Sequence, residues 1–157
     1  MDTEIFLHLF VKNLKLGFEE ALIETVKKIK GAYSIVVLTC KGELIGIKDP
    51  NGFRPLCLGK LNGHYVLASE SCALDLIEAE LIRELDPGEI VIINEEGVRS
   101  IKPHAETRHT LCIFEFIYFA RPDSNINGHN VYLTRKAHGR RLAIEAPVAA
   151  DLVMPFP

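Results

Sequence analysis

Tryptophan is absent from the 157 residues and methionine occurs only twice, so phenylalanine, tyrosine and the branched aliphatics must fill any core. No apolar run reaches the roughly 20 residues that a membrane-crossing helix needs. Met1-Asp2-Thr3-Glu4 has neither the basic start nor the small-residue cleavage site of a signal peptide. The four cysteines, Cys40, Cys57, Cys72 and Cys112, form no Cys-x-x-Cys pair, which argues against a zinc site and a disulfide framework and leaves reduced thiols as the expectation. No His-x-x-x-His spacing and no Gly-rich phosphate loop occurs. Charge of neither sign dominates: 18 Lys and Arg against 21 Asp and Glu leave a formal −3. That balance gives no overall attraction to nucleic acid or an anionic membrane. A cytoplasmic protein with neither as partner is expected, and 48% hydrophobic residues suffice for a core.

The pattern that is present starts helical. Asp2 can cap a helix ending near Asn13, in which Ile5 with Leu9 and Phe6 with Phe10 lie four apart. A second helix follows Gly17: Phe18, Leu22, Val26 and Ile29 make its apolar stripe, Lys27, Lys28 and Lys30 suit its C-terminus, and Gly31 suits the position after it. From residue 32 the period becomes two, predicting a hairpin of residues 33–39 and 43–48 around Lys41-Gly42. A second hairpin folds about Asn62-Gly63. Ser71 can cap a short helix through Ala73, Leu74 and Ile77, and strands over 89–94 and 98–101 flank Glu95-Glu96-Gly97.

Residues 102–110 carry Pro103, two histidines and alternating charges without apolar period, and read as a linker. Beyond them, the aromatic run at 112–124 predicts a strand covered on both faces and ending in a charged turn. Glu115 inside that run must find a partner or a polar cavity, because an unpaired buried carboxylate is costly. An Asn/Gly-rich loop at 125–130, a helix over 131–145 ended by Pro147, and a strand at 151–154 complete the opening of a parallel α/β unit.

Taken singly, the polar residues suggest structure rather than chemistry. Asp49 and Arg54 bracket a tight turn and are expected to pair across it. The histidines fit surface positions, and Cys112 at the start of an apolar strand fits a structural thiol.

Five blocks in order are more specific: Gly31-Ala32-Tyr33-Ser34, then Asp49-Pro50-Asn51-Gly52-Phe53-Arg54-Pro55-Leu56, then Ala68-Ser69-Glu70-Ser71-Cys72-Ala73-Leu74-Asp75, then Pro87-Gly88-Glu89, and finally 112–124. Together they resemble the glutamine-dependent amidophosphoribosyltransferases over almost the whole chain. The first block is also similar to other class II amidotransferases such as glucosamine-6-phosphate synthase, and Phe119-Ala120-Arg121-Pro122-Asp123-Ser124 separates the two. The resemblance implies an α+β chain: residues 1–103 from the later part of an N-terminal-nucleophile glutaminase sandwich (α-β-β-α), a linker at 104–110, and residues 111–157 opening an α/β phosphoribosyltransferase domain.

It further implies a parent enzyme that hydrolyses glutamine and passes ammonia to phosphoribosyl pyrophosphate, giving phosphoribosylamine at the first committed step of purine synthesis. By the same resemblance Asp2 would hold the α-ammonium of glutamine, Phe114 and Tyr118 would line an ammonia passage, and Cys112 would match an iron–sulfur ligand of some members. Mg2+ would accompany phosphoribosyl pyrophosphate in the parent, and a homo-oligomer is expected. No residue here matches the family's catalytic cysteine, so the chain is expected to be a fragment, inactive alone and needing no cofactor itself. The competing readings are a non-catalytic binding or assembly module, and a fragment of another class II amidotransferase.

Overall fold

The computed structural model describes residues 2–154, apart from the side chain of Asp2. In chain order the elements are α1 (Asp2–Asn13), a 3-10 turn (Leu14–Leu16), α2 (Phe18–Val26), β1 (Ser34–Leu38), β2 (Leu44–Lys48), β3 (Cys57–Leu61) and β4 (His64–Ala68). There follow α3 (Ser71–Leu76), β5 (Glu80–Glu84), β6 (Ile90–Asn94), β7 (Gly97–Ile101), a π-helical turn (Glu115–Phe119), β8 (Asn125–Ile126), β9 (His129–Asn130) and α4 (Val131–Glu145).

Alternation along β2 and β6 decides the layering. Ile45, Ile47, Ile90 and Ile92 meet Phe6 of α1 and Leu22 and Val26 of α2. Val91 and Ile93 point the other way, against Leu56, Leu58 and Leu85. The four-stranded sheet, in order β1-β2-β6-β7, therefore carries α1 and α2 on one face and the three-stranded sheet β4-β3-β5 on the other. On the far side of the smaller sheet, Cys57 and Ala79 enclose Leu74 of α3. Helix and sheet approach so closely there that a Cβ on Gly59 would stand 2.8 Å from both methyls of Leu74, which explains a glycine within β3.

Both expected hairpins form. Strands β1 and β2 pair in register from Ser34 with Lys48 to Leu38 with Leu44. Asn62 and Gly63 take φ of 50° and 89°, the left-handed pair that a type I′ turn requires. Helix α1 ends at Asn13 as expected, and its buried side-chain amide donates to Thr25 of α2 at 3.1 Å. Helix α2 stops short of the expected Ile29, because Lys28 N bonds Thr25 O in a tighter turn; Ile29 still packs on the core. Ser71 is the first residue of α3 rather than its cap, a place taken by Glu70. Strand β5 has no counterpart among the expected elements.

Two expectations in the second half are overturned. Residues 112–124 hold no strand: the aromatic run coils into the π-helical turn, closed by Ala120 N on Glu115 O at 3.0 Å. No neighbouring strand offers a ladder there, whereas Phe116 and Ala120, four apart, share a small buried cluster with Ile126 and Val131. The expected strand at 151–154 is also absent: those residues are exposed and irregular, and β structure needs a partner strand. Helix α4 spans the expected residues and is capped by Asn130, whose side chain accepts from Leu133 N at 3.1 Å. Every strand pair among the described residues is antiparallel, so the expected opening of a parallel unit is not formed within them.

Candidate functional site

A cleft of about 680 Å³ opens between α1, the segment from Lys28 to Ile35, and Arg54; Thr3, Phe6, Lys28, Tyr33 and Ser34 also line it. The first two sequence blocks build its floor. Asp49 N donates to Tyr33 O at 3.0 Å, and the Ser34 hydroxyl lies 3.3 Å from the carbonyls of both Arg54 and Pro55. Within the 49–56 block the Asp49 carboxylate accepts from the amides of Asn51 and Phe53 at 2.9 and 3.1 Å, the self-bonding for which aspartate is favoured in turns. Among the described residues the buried Tyr33 hydroxyl has no hydrogen-bond partner, and burial, followed by the charge of Asp49, pushes its pKa up to about 12.

Asp49 is thus occupied by its own turn, and the expected Asp49–Arg54 pair is not formed. Arg54 reaches instead to Glu115, 61 positions away, with Nη1 at 2.5 Å from Oε1. Its guanidinium also lies over the Phe119 ring, 4.5 Å from the centroid. The hydrogen bond to Glu115 raises the guanidinium's pKa further. Glu115, 4% exposed, has the partner that its place in an apolar run demands.

Phe114 and Tyr118 do not share a covered strand face: they are 53% and 77% exposed. Both touch Phe119, at centroid distances of 6.2 and 5.7 Å, so the turn gathers three aromatic rings beside the Arg54–Glu115 pair. Cys112 stands just before this turn, half-buried, with its amide donating to Phe53 O at 3.4 Å. It opens no strand. Asp2 is the first residue of α1, one position before the cleft-lining Thr3, and its side chain lies outside the described residues.

A second polar junction ties the Ala-Ser-Glu-Ser block to the Arg-Pro-Asp-Ser block. Oε2 of Glu70 accepts from the Ser124 hydroxyl at 2.6 Å and from Arg121 N at 2.9 Å, while Ser71 Oγ accepts from Asn125 N at 2.8 Å. Arg108 N and Thr110 N donate to the carbonyls of Pro50 and Asn51. On the far side of the turn, Arg135 of α4 donates to the carbonyls of Phe116 and Ala120, meeting acceptors that a helical end leaves open. Arg54, Glu70 and Arg135 were not singled out for these contacts by sequence spacing, and Arg54 was assigned the wrong partner. The signal available for Glu115 was its charge alone.

Three further buried titratable groups, Glu89, Lys48 and Cys57, sit within the fold. Glu89 of the Pro-Gly-Glu block takes both arms of Arg83 at 2.8 and 2.6 Å, the Ser100 hydroxyl, and Asp86 N at 2.7 Å. Burial alone would push its carboxyl up, but these donors outweigh it and bring the pKa down to about 2. Lys48 is 2% exposed and donates to Leu85 O at 3.0 Å; burial lowers its pKa. Cys57 is 1% exposed, and burial, with Glu84 next, pushes its thiol up to about 12. Among the described residues no hydrogen bond joins a cysteine to a histidine, and no group of three or more His, Cys, Asp or Glu could hold a metal. Their side chains therefore do not by themselves fit an iron–sulfur cluster, which takes several thiolates.

Comparison with known proteins agrees with the blocks. The family profile of a glutamine amidotransferase domain matches residues 1–76. Amidophosphoribosyltransferase of a Staphylococcus epidermidis strain is 46% identical over 99% of this chain, and that of Rhizobium etli is 44% identical over 99%. A solved structure described as the allosteric regulatory enzyme of purine biosynthesis superposes with a TM-score of 0.91 at 42% identity, covering 96% of this chain and 32% of that one. The glutamine phosphoribosylpyrophosphate amidotransferase of B. subtilis, complexed with ADP and GMP, gives the same TM-score and identity and is covered to 33%. The chain spans about a third of the length of these relatives, 32% in the curated proteins. With the ordered blocks docked on one another and this identity over nearly its full length, the chain is similar to a stretch of about a third of the length of amidophosphoribosyltransferases, and its residues 1–76 match a glutamine amidotransferase domain.

Proposed function

We propose that these residues serve an enzyme that makes 5-phosphoribosylamine from glutamine and phosphoribosyl pyrophosphate in the cytoplasm, as the first committed step of purine synthesis. The observation that carries the reading is the 46% identity over 99% of the chain. Residues 1–103 would be the later part of a glutaminase α-β-β-α sandwich of the N-terminal-nucleophile class, 104–110 the linker between domains, and 111–157 the start of the phosphoribosyltransferase domain.

In this reading the enzyme hydrolyses glutamine to glutamate and ammonia, and ammonia displaces pyrophosphate from phosphoribosyl pyrophosphate. Asp2, one position before the cleft-lining Thr3, would accept from the substrate's α-ammonium, a charge-assisted bond suited to a carboxylate. Phe114 and Tyr118 would line the ammonia passage, where apolar rings favour the neutral base and exclude water. Mg2+ with phosphoribosyl pyrophosphate, and an iron–sulfur cluster in members that have one, belong to the parent enzyme; Cys112 would give such a cluster one thiolate. A homo-oligomer is part of the same proposal.

The 157 residues alone are expected to release no glutamate from glutamine, since by the resemblance none of their four cysteines matches the family's catalytic thiol. In a full-length enzyme carrying this stretch, Asp2→Ala is expected to raise KM for glutamine roughly 10- to 100-fold through the lost charge-assisted bond, with ammonia-dependent synthesis unchanged. An unaltered KM would remove Asp2 from the site, and glutamate release by the short chain that stops on mutating one of its own cysteines would overturn the expectation of inactivity.

A further inference from the structure

We propose that Arg54 is a positioning residue that links the wall of the cleft to the packing of the aromatic turn, so that the two change together. The inference rests on the functional reading above only in naming the two ends of the link: glutamine in the cleft and ammonia at the turn.

Three observations converge on this side chain. Arg54 lines the cleft, and its backbone carbonyl lies within hydrogen-bond reach of Ser34, another lining residue. Its Nη1 bonds the buried carboxylate of Glu115, the first residue of the turn. Its guanidinium carbon lies over the ring of Phe119, which touches both Phe114 and Tyr118. A guanidinium has five N–H donors in a rigid fork, and among the described residues a side-chain bond is made by Nη1 alone. The side chain is 40% exposed, leaving its other donors accessible to solvent or to whatever fills the cleft.

Glu115 is not free to wait for a replacement. Its side chain is 5% exposed, and a buried carboxylate that loses its cation is strongly destabilised. A ligand that draws Arg54 toward the cleft therefore pulls on the Glu115–Phe119 turn, and by linkage a rearranged turn alters the cleft. The same contact that fixes the rings thus reports on the cleft.

The test uses a full-length enzyme carrying this stretch, with Arg54→Gln and Glu115→Gln made separately. Glutamate release, ammonia-dependent synthesis and glutamine-dependent synthesis are measured side by side. The parent is expected to release glutamate and make phosphoribosylamine in equal amounts. Both variants are expected to release about threefold or more glutamate per phosphoribosylamine, with ammonia-dependent synthesis within about twofold of the parent. A purely structural role would lower the rates without moving that ratio, so an unchanged ratio in both variants overturns the proposal.

A parent with no glutamine-dependent synthesis would sink the functional reading instead. The link is then judged in the 157-residue chain by amide hydrogen exchange, with Phe119→Leu as a second variant should Arg54→Gln fail to fold. Exchange of Ala120 N–H is expected to quicken about tenfold or more while the β6 amides stay protected. Unchanged exchange at Ala120 overturns the link.

Discussion

Glu89 shows how one buried side chain can organise a short motif through its hydrogen bonds. Its carboxylate gathers Arg83, Ser100 and the Asp86 amide at the turn that leads into β6. The folded-state pKa of about 2 lies below the ordinary 4.5, so as pH falls the unfolded chain takes up the proton first. The resulting stability is complete above about pH 4.5 and is lost as pH falls toward 2. Glu89→Gln is expected to cost roughly 2–3 kcal/mol at neutral pH. Urea melts of both proteins from pH 7 to pH 2 check this: the difference should shrink through the acid window, and one that persists at pH 2 would rule out the charge as its source. The demand for a partner was legible in Glu115 for the same reason that Glu89 has donors, the cost of burying a carboxylate. The identity of that partner was not legible, because Arg54 lies 61 residues away and a local aspartate looked sufficient.

At the scale of elements, patterns that close locally were readable and those that depend on distant neighbours were not. Strands β1 to β4 and β6 carry their own period and turn residues, with Asn62-Gly63 setting the register of β3 on β4. Strand β5 begins and ends on glutamate and has exposed Leu81 and Ile82; it is a strand because β3 supplies a ladder. The aromatic run was misread for the converse reason, since rings and β-branched residues favour strands only where a sheet receives them. Its π-helical turn depends on Arg135, which donates to the carbonyls of Phe116 and Ala120. Arg135→Ala is expected to lower stability by about 1–3 kcal/mol, the range for a charged hydrogen bond and an uncapped carbonyl. Hydrogen exchange should then quicken at Ala120 while the β6 amides remain protected. Equal protection of both in the variant would show that the turn stands without the cap.

For the molecule as a whole, the blocks that carry the family resemblance are the surfaces on which its parts meet: residues 33–34 on 49–55, residues 70–71 on 121–125, and Arg54 on Glu115. The order of the blocks was therefore readable, while the contacts between them required the folded chain. The architecture also leaves β1 at the edge of its sheet, with Val36 and Leu38 49% and 73% exposed. An unpaired apolar edge is a template for another chain, so the 157-residue chain is expected to self-associate in light scattering. Val36→Lys with Leu38→Lys should shift it toward monomer; a clean monomer before substitution would count against the open edge. The layering has one more consequence, through Cys57. With its thiol sealed between sheet and helix and its pKa near 12, it is closed to alkylation for as long as those layers stay together, whereas Cys40 at the surface is open throughout. The chain thereby carries two clocks of its own: one thiol that records exposure to reagent, and one that starts only when the sandwich comes apart.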